Sequence, residues 1–119
     1  MRDFSFDLSE VRRRVDEAAA YLKVDASRTR LAELEIEVAK PDLWNDQEHA
    51  KRVNTEYSNL KGDLDEFTEL ASAVDDLEVL HEMAREIDDA SQEPELESGI
   101  AAVRAKLDAL DLQIGRAHV

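Results

Sequence analysis

From Asp46 to Asp89 no proline interrupts the chain, and apolar residues recur along it at alternating steps of four and three: Val53, Tyr57, Leu60, Leu64, Phe67, Ala71 and Val74. Leu77, Leu80, Ala84 and Ile87 continue the row after a slip of phase. A β-strand repeats its inward side chains every second residue. Steps of three and four instead place them in one stripe of an α-helix. Unbroken, such a helix extends roughly 66 Å at about 1.5 Å per residue, the dimension of a rod rather than of a globular core element. Gly62 is its weak point, because glycine inside a helix costs about 1 kcal/mol relative to alanine.

A helix with one apolar stripe needs partners, and the rest of the sequence supplies three. Asp7-Leu8-Ser9-Glu10 has the spacing of a capping box, and Leu8, Val11, Val15, Ala18 and Leu22 then step along one face. Asp25 or Ser27 can cap a second helix through Leu31, Leu34 and Val38. Pro41 ends it near Ala39, with Val24-Asp25 as the tight link of an antiparallel pair. The segment from Pro41 to Asp46 reads as a loop, and Asn45 with Glu48 as a cap for the long helix. A polar link from Asp88 to Glu93 leads to Pro94, a residue suited to a helix's first turn, and to the stripe Leu96, Ile100, Val103, Leu107, Leu110, Ile114. The expected fold is all-α: an elongated antiparallel helical bundle or coiled coil of about four helices, one very long. With 119 residues, 37% of them charged and only three Gly and two Pro, the chain suits one domain of long helices with few loops.

Charge narrows the partners. The net charge is −14; residues 1–30 are nearly balanced, so almost all of the excess acid lies beyond them. Such a surface repels a phosphate backbone and argues against autonomous nucleic-acid binding. No apolar run approaches membrane-spanning length, and the start has no signal-peptide core, so a cytoplasmic chain is expected. Without cysteine there is no disulfide, zinc-thiolate site or thiol nucleophile.

Catalytic patterns fail for definite reasons. Three scattered glycines build no phosphate loop. His81-Glu82-Met83-Ala84-Arg85 begins like a zinc-protease helix but has Arg where the second histidine is needed. Glu78 and His81 make one Glu-x-x-His step, whereas a di-metal bundle needs two and further Glu; Asp46 with His49 is the other near match. Neither a metal nor a cofactor is expected, and His118 reads as tail. Two features remain as candidate partner contacts. Arg12, Arg13 and Arg14, with Arg28 and Arg30 nearby, can touch RNA or an acidic surface, or pair with neighbouring Asp and Glu on a solvated face. Trp44 can staple its loop to the following helix or stand exposed toward a partner.

Leu34-Glu35-Ile36-Glu37 followed by Ala39-Lys40-Pro41-Asp42-Leu43-Trp44-Asn45-Asp46 is more particular than the rest. It resembles the second helix and following loop of bacterial class I peptide chain release factors of type 2, in their N-terminal helical domain. Tyr21-Leu22, Asp65-Glu66-Phe67 and Asp88-Asp89 are supporting matches, and the likeness spans about residues 7 to 112. The resemblance implies a ribosome-docking module that faces the stalk base and GTPase centre and affects dealings with the release-factor GTPase. The family's codon-reading Ser-Pro-Phe and hydrolytic Gly-Gly-Gln motifs do not occur in this sequence, so no enzymatic role is expected of it. Residues 1–112 are then the helical domain, and 113–119 a tail foreign to the family. The rival reading from composition is a free-standing acidic coiled-coil adaptor or cochaperone that grips a basic protein.

Overall fold

The computed structural model describes residues 1–117, and among them all regular structure is helical. Four α-helices follow in order: α1 (Ser5–Tyr21), α2 (Val24–Val38), α3 (Gln47–Glu86) and α4 (Glu93–Ala117). Short 3-10 turns at Leu43–Asn45 and Ala90–Gln92 precede α3 and α4. The all-α expectation with one very long helix holds, and α3 passes through Gly62 without a break. A Cβ at Gly62 meets nothing within 4 Å, so no packing bends the helix there. No helix is long and apolar enough to cross a membrane among the described residues. Residues 113 to 117 of the expected tail continue α4, and His118 lies outside the described residues. Contacts divide the chain into two compact units: residues 1–18 with 69–119, and residues 19–68.

In the first unit α1 begins earlier than the Asp7-Glu10 box requires. Asp3 turns the chain instead, its carboxylate accepting from the Ser5 N–H at 2.9 Å and the Ser5 hydroxyl at 2.6 Å. The Leu8 N–H then donates to the Phe4 carbonyl at 2.9 Å. The cause is Phe4, buried to 1% exposure, which draws the backbone inward before Asp7 is reached. Leu8, Val11, Val15 and Ala18 are buried as the stripe requires. They share the unit's apolar interior with Leu70, Val74, Leu77 and Ala84 of α3 and Leu96, Ile100, Val103 and Leu107 of α4. Ion pairs give the directions: against α3, Asp3 meets Arg85 and Arg12 meets Asp75 and Glu78, while against α4, Asp7 and Arg14 meet Arg104 and Asp108 in that order. Thus α1 runs antiparallel to this part of α3 and parallel to α4. Gly99 lets Leu77 come close, since a Cβ there would run into Leu77 Cδ2.

The α3 stripe needs one correction. Leu70 and His81 are buried, Leu80 is half-buried, and Ile87 is 75% exposed. A straight helix drifts about 20° per seven residues against a strict heptad. Over this length the heptad reading therefore rotates off the true core face. At the end of α3, Asp88 adopts φ 51, and its N–H reaches Arg85 O at 3.2 Å while the Asp89 N–H reaches Ala84 O at 2.9 Å. Those two bonds make a Schellman ending, with Asp where Gly is usual. Asp89 then accepts from the Ser91 N–H at 3.0 Å and its hydroxyl at 2.5 Å.

The second unit holds α2, the Pro41 loop and the start of α3. Its core is Leu34, Leu43, Ala50 and Val53, with Val38, Tyr57 and Leu60 packed against it. The link before α2 is Leu22-Lys23 rather than Val24-Asp25: Lys23 takes φ 55, donates to Ala20 O at 3.2 Å, and α2 starts at once. Neither Asp25 nor Ser27 is the cap; the Ser27 N–H donates to Lys23 O at 2.9 Å. At α3 the cap is Asp46, not Asn45. The Asp46 carboxylate accepts from the His49 N–H at 3.1 Å, and the Asn45 N–H is already bonded to Asp42 O at 3.0 Å within the 3-10 turn. Phe67 is buried at 8% exposure, as its place in the stripe requires.

Gly62→Ala should raise the chemical denaturation midpoint, with a gain of about 1 kcal/mol in an open helix position. Gly99→Ala should lie below it, because Leu77 must leave its rotamer. The turn carboxylates Asp3 and Asp89 are both held below the usual range, chiefly by the hydroxyls of Ser5 and Ser91 and then by those residues' backbone N–H groups. A carboxylate with a depressed folded pKa contributes stability that is present above its unfolded value and is lost as pH falls through the folded one. Stability measured from about pH 5 to pH 2 should therefore fall less steeply in the double variant Asp3→Asn, Asp89→Asn than in the parent.

Candidate functional site

The three consecutive arginines point to different places because successive helical residues lie about 100° apart. Arg12 turns toward α3: its Nη2 and Nε meet Glu78 at 2.6 and 3.3 Å, and Nη2 also bonds Asp75. Arg14 turns toward α4, where Nη2 meets Asp108 at 2.9 Å and Asp111 at 2.8 Å. Both guanidiniums are pushed up from their ordinary value, Arg12 first by Glu78 and Arg14 first by Asp108. Arg13 alone faces outward, paired one turn along its own helix with exposed Glu17 at 2.7 Å. The arginine run therefore ties helices together through its two flanking members and presents its middle one.

In the second unit Arg30 grips Glu56 through Nε and Nη2 at 2.7 and 2.8 Å and also reaches Glu33 at 3.0 Å. Glu37 accepts from Lys40 at 3.1 Å and lies 3.2 Å from His49 Nε2; the His49 bond is the larger cause of its depressed pKa. Arg28 is exposed and makes no ion pair among the described residues. In the Pro41 loop the seat in the core belongs to Leu43, at 5% exposure, while Trp44 stands 64% exposed. Of the two roles open to Trp44, the staple is thus filled by its neighbour. Trp44 lies in the second unit and Arg12, Arg13 and Arg14 in the first.

The Glu78 and His81 step does not converge on a point. Glu78 is held by Arg12, and His81 Nε2 accepts from the Phe4 N–H at 3.0 Å. Phe4's ring stands edge-on to the imidazole, with centroids 5.9 Å apart. His81 is 7% exposed and builds the junction of the N-terminal segment with α3. This role escaped the sequence reading, although His81 stands four residues after Leu77 and three before Ala84, in the buried row. A shallow hollow of about 150 Å³ is lined by Arg2, Phe4, Asp7, Glu97, Ile100 and Arg104. Its charges are mutually engaged: Arg2 pairs with Asp7 and Glu97, its guanidinium lies 4.4 Å over the Phe4 ring, and Arg104 pairs with Asp7 at 2.8 Å. No group of three or more His, Asp or Glu suited to a metal ion occurs among the described residues.

What the geometry offers is a set of braced helices that present side chains. Replacing a brace should cost more than replacing a display residue. Arg12→Ala should lower the denaturation midpoint more than Arg13→Ala, since an exposed i,i+4 pair contributes only about 0.3–0.5 kcal/mol. Denaturation curves of the two variants give the comparison.

Residues 27–117 match the PCRF domain family. The chain is 35% identical over 111 residues to "Peptide chain release factor 2" of Saccharopolyspora erythraea, covering 93% of this chain and 30% of that protein. It is 34% identical over 112 residues to the protein of the same name from Exiguobacterium sp., covering 94% and 31%. With that of Rhodococcus jostii it shares 40% over 74 residues, covering 62% and 20%. The chain thus spans about a third of the length of the first two relatives. With a family match across most of its residues, lying on the helices just described, the chain belongs to the peptide chain release factor family and carries its PCRF domain.

Proposed function

We propose that this chain is the ribosome-docking helical domain of a cytoplasmic translation termination factor, which in full length directs stop-codon-dependent release of the nascent peptide. The domain takes in residues 1–112, and the family match continues along α4 to residue 117. The surface it approaches is the stalk base, beside the site of the release-factor GTPase. Its contribution is mechanical: it carries no hydrolytic residue and needs no cofactor, and its helices hold contact side chains at fixed positions. The observation that carries this reading is the release-factor relationship over most of the chain, together with a Pro41 loop that seats Leu43 and leaves Trp44 outside.

Within this reading Trp44 is the anchor of the contact. Arg13 adds a displayed charge, and Arg12 and Arg14 reach the surface from their braced positions. The acidic excess keeps the domain from binding RNA by charge alone, so the contact depends on a protein surface or on a shaped RNA and protein junction. An exposed indole is well suited to such a role, because tryptophan is enriched among the few residues that carry most of an interface's binding energy.

Cosedimentation of the 119-residue chain with ribosomes tests the proposal. The chain should bind saturably, Trp44→Ala should weaken binding by about tenfold or more, and Arg13→Ala should weaken it less. Stop-codon-programmed ribosomes carrying labelled formyl-methionine should release none of it with this chain alone. Release activity, or an affinity indifferent to Trp44, would overturn the reading.

A further inference from the structure

On the first unit, Val79, Met83 and Ile87 are 55, 61 and 75% exposed. They follow one another at intervals of four along the end of α3, Ile87 standing directly after its last residue. Each lies about 40° further round the helix than the one before, so the three form a slanted row. Val79 and Met83 lie on the side turned away from buried Val74, Leu77, His81 and Ala84, and Ile87 lies at the flank of that side. Single exposed apolar residues are ordinary on protein surfaces. Three at successive intervals of four on one helix present an exposed apolar strip.

The charges left unpaired at the rim of this row are all negative, since the cations there, Arg85 and the Met1 ammonium, are paired with Asp3 and Asp88. Asp76, Glu82 and Glu86 are exposed and form no ion pair among the described residues. Nearby Asp75 and Glu78 are engaged by Arg12, and Arg85 is turned to Asp3 at 3.1 Å. An apolar strip edged by unneutralised carboxylates complements a surface that is apolar in its middle and cationic at its margins. A second copy of this chain does not meet that requirement: the unit holds eight Lys or Arg against eighteen Asp or Glu, so two such faces repel. An anionic lipid surface and a nucleic acid fail for the same reason.

We propose that the Val79, Met83 and Ile87 row is a docking site for a basic amphipathic helix supplied by a partner protein. The partner's apolar residues, spaced i, i+4, i+7, lie along the row, and its Lys and Arg side chains reach Asp76, Glu82 and Glu86. Met83, central in the row, has a flexible and polarizable side chain that adapts to the shape of an incoming residue. Apolar contact supplies affinity here, and the carboxylates set orientation and rate of encounter. The proposal goes beyond the ribosome-docking reading and does not involve Trp44.

The test uses the 119-residue chain and a synthetic Leu and Lys peptide of about 18 residues with Leu at i, i+3, i+4 and i+7, long enough for several helical turns. A peptide of identical composition in scrambled order serves as control. Fluorescence anisotropy of labelled peptide at physiological salt gives affinity, and amide chemical shifts give the site. The patterned peptide should bind saturably with shifts concentrated on residues 76–87, and the scrambled one about tenfold or more weaker. Met83→Glu, Met83→Gln and Glu82→Lys should each weaken binding, the first by about tenfold or more. Leu112→Ser, on a different helix, should leave it unchanged. Circular dichroism of each variant should match the parent, since these side chains are outside the core. Equal binding of the scrambled peptide, shifts spread over the acidic surface, or an affinity indifferent to Met83 would overturn the proposal. So would self-association of the chain, or capture by anionic vesicles, that Met83→Glu abolishes. These outcomes are independent of ribosome binding through Trp44.

Discussion

Both cores are built on one helix that has no interruption between Gln47 and Glu86. Its early residues Ala50 and Val53 enter the core with Leu34 and Leu43, and its later residues Leu70, Val74, Leu77 and Ala84 are buried in the other unit. Neither set of partners has another wall of comparable length to close against. A helix so long survives because no proline enters it and because its one interior glycine before the later core, Gly62, lies where nothing presses on it. Local propensity and tertiary packing agree along this element, and that agreement is what makes a sequence specify one structure.

Charge takes two different parts in the molecule. Where guanidiniums lie against the helices, as at Arg12, Arg14, Arg30 and Arg104, each is met by two carboxylates. These clusters fix helix directions and register more than they add stability, because ion pairs at a solvated surface are individually worth little. The carboxylates left over give the chain its acidic excess, and they set which partners can approach. The same residue type thus orders the interior edge and filters the exterior.

The stripes of α1, α3 and α4 were legible because apolar periodicity is a property of the sequence itself, and the Pro41 stop was legible because proline lacks an N–H. Caps were misplaced by one or more residues for a shared reason. Asp3, Asp7, Asn45 and Asp46 are all chemically able to cap, and the choice is made by where Phe4 and Leu43 must be buried. The links near Lys23 and Asp88 were legible from their polarity and position, but the left-handed residue at each gave no signal because neither is the glycine that usually marks one. His81 was hidden by its own chemistry: a polar side chain in an apolar row is read as surface unless its partner, here the Phe4 N–H, is known. Of the candidate contacts, the exposure of Trp44 turned on which of two adjacent apolar residues took the single seat in the loop. The partners of Arg12 and Arg14 lie more than sixty residues away in sequence and depend wholly on the tertiary arrangement.

Trp44 is the sole tryptophan of the chain, and its ring is already in contact with water. Its emission should consequently be that of a hydrated indole before any partner arrives and should change little when the helices melt. Covering it by a docking surface would move the emission toward shorter wavelength. Folding and docking are therefore reported by separate optical signals in the unlabelled molecule: backbone ellipticity follows the first and indole fluorescence the second.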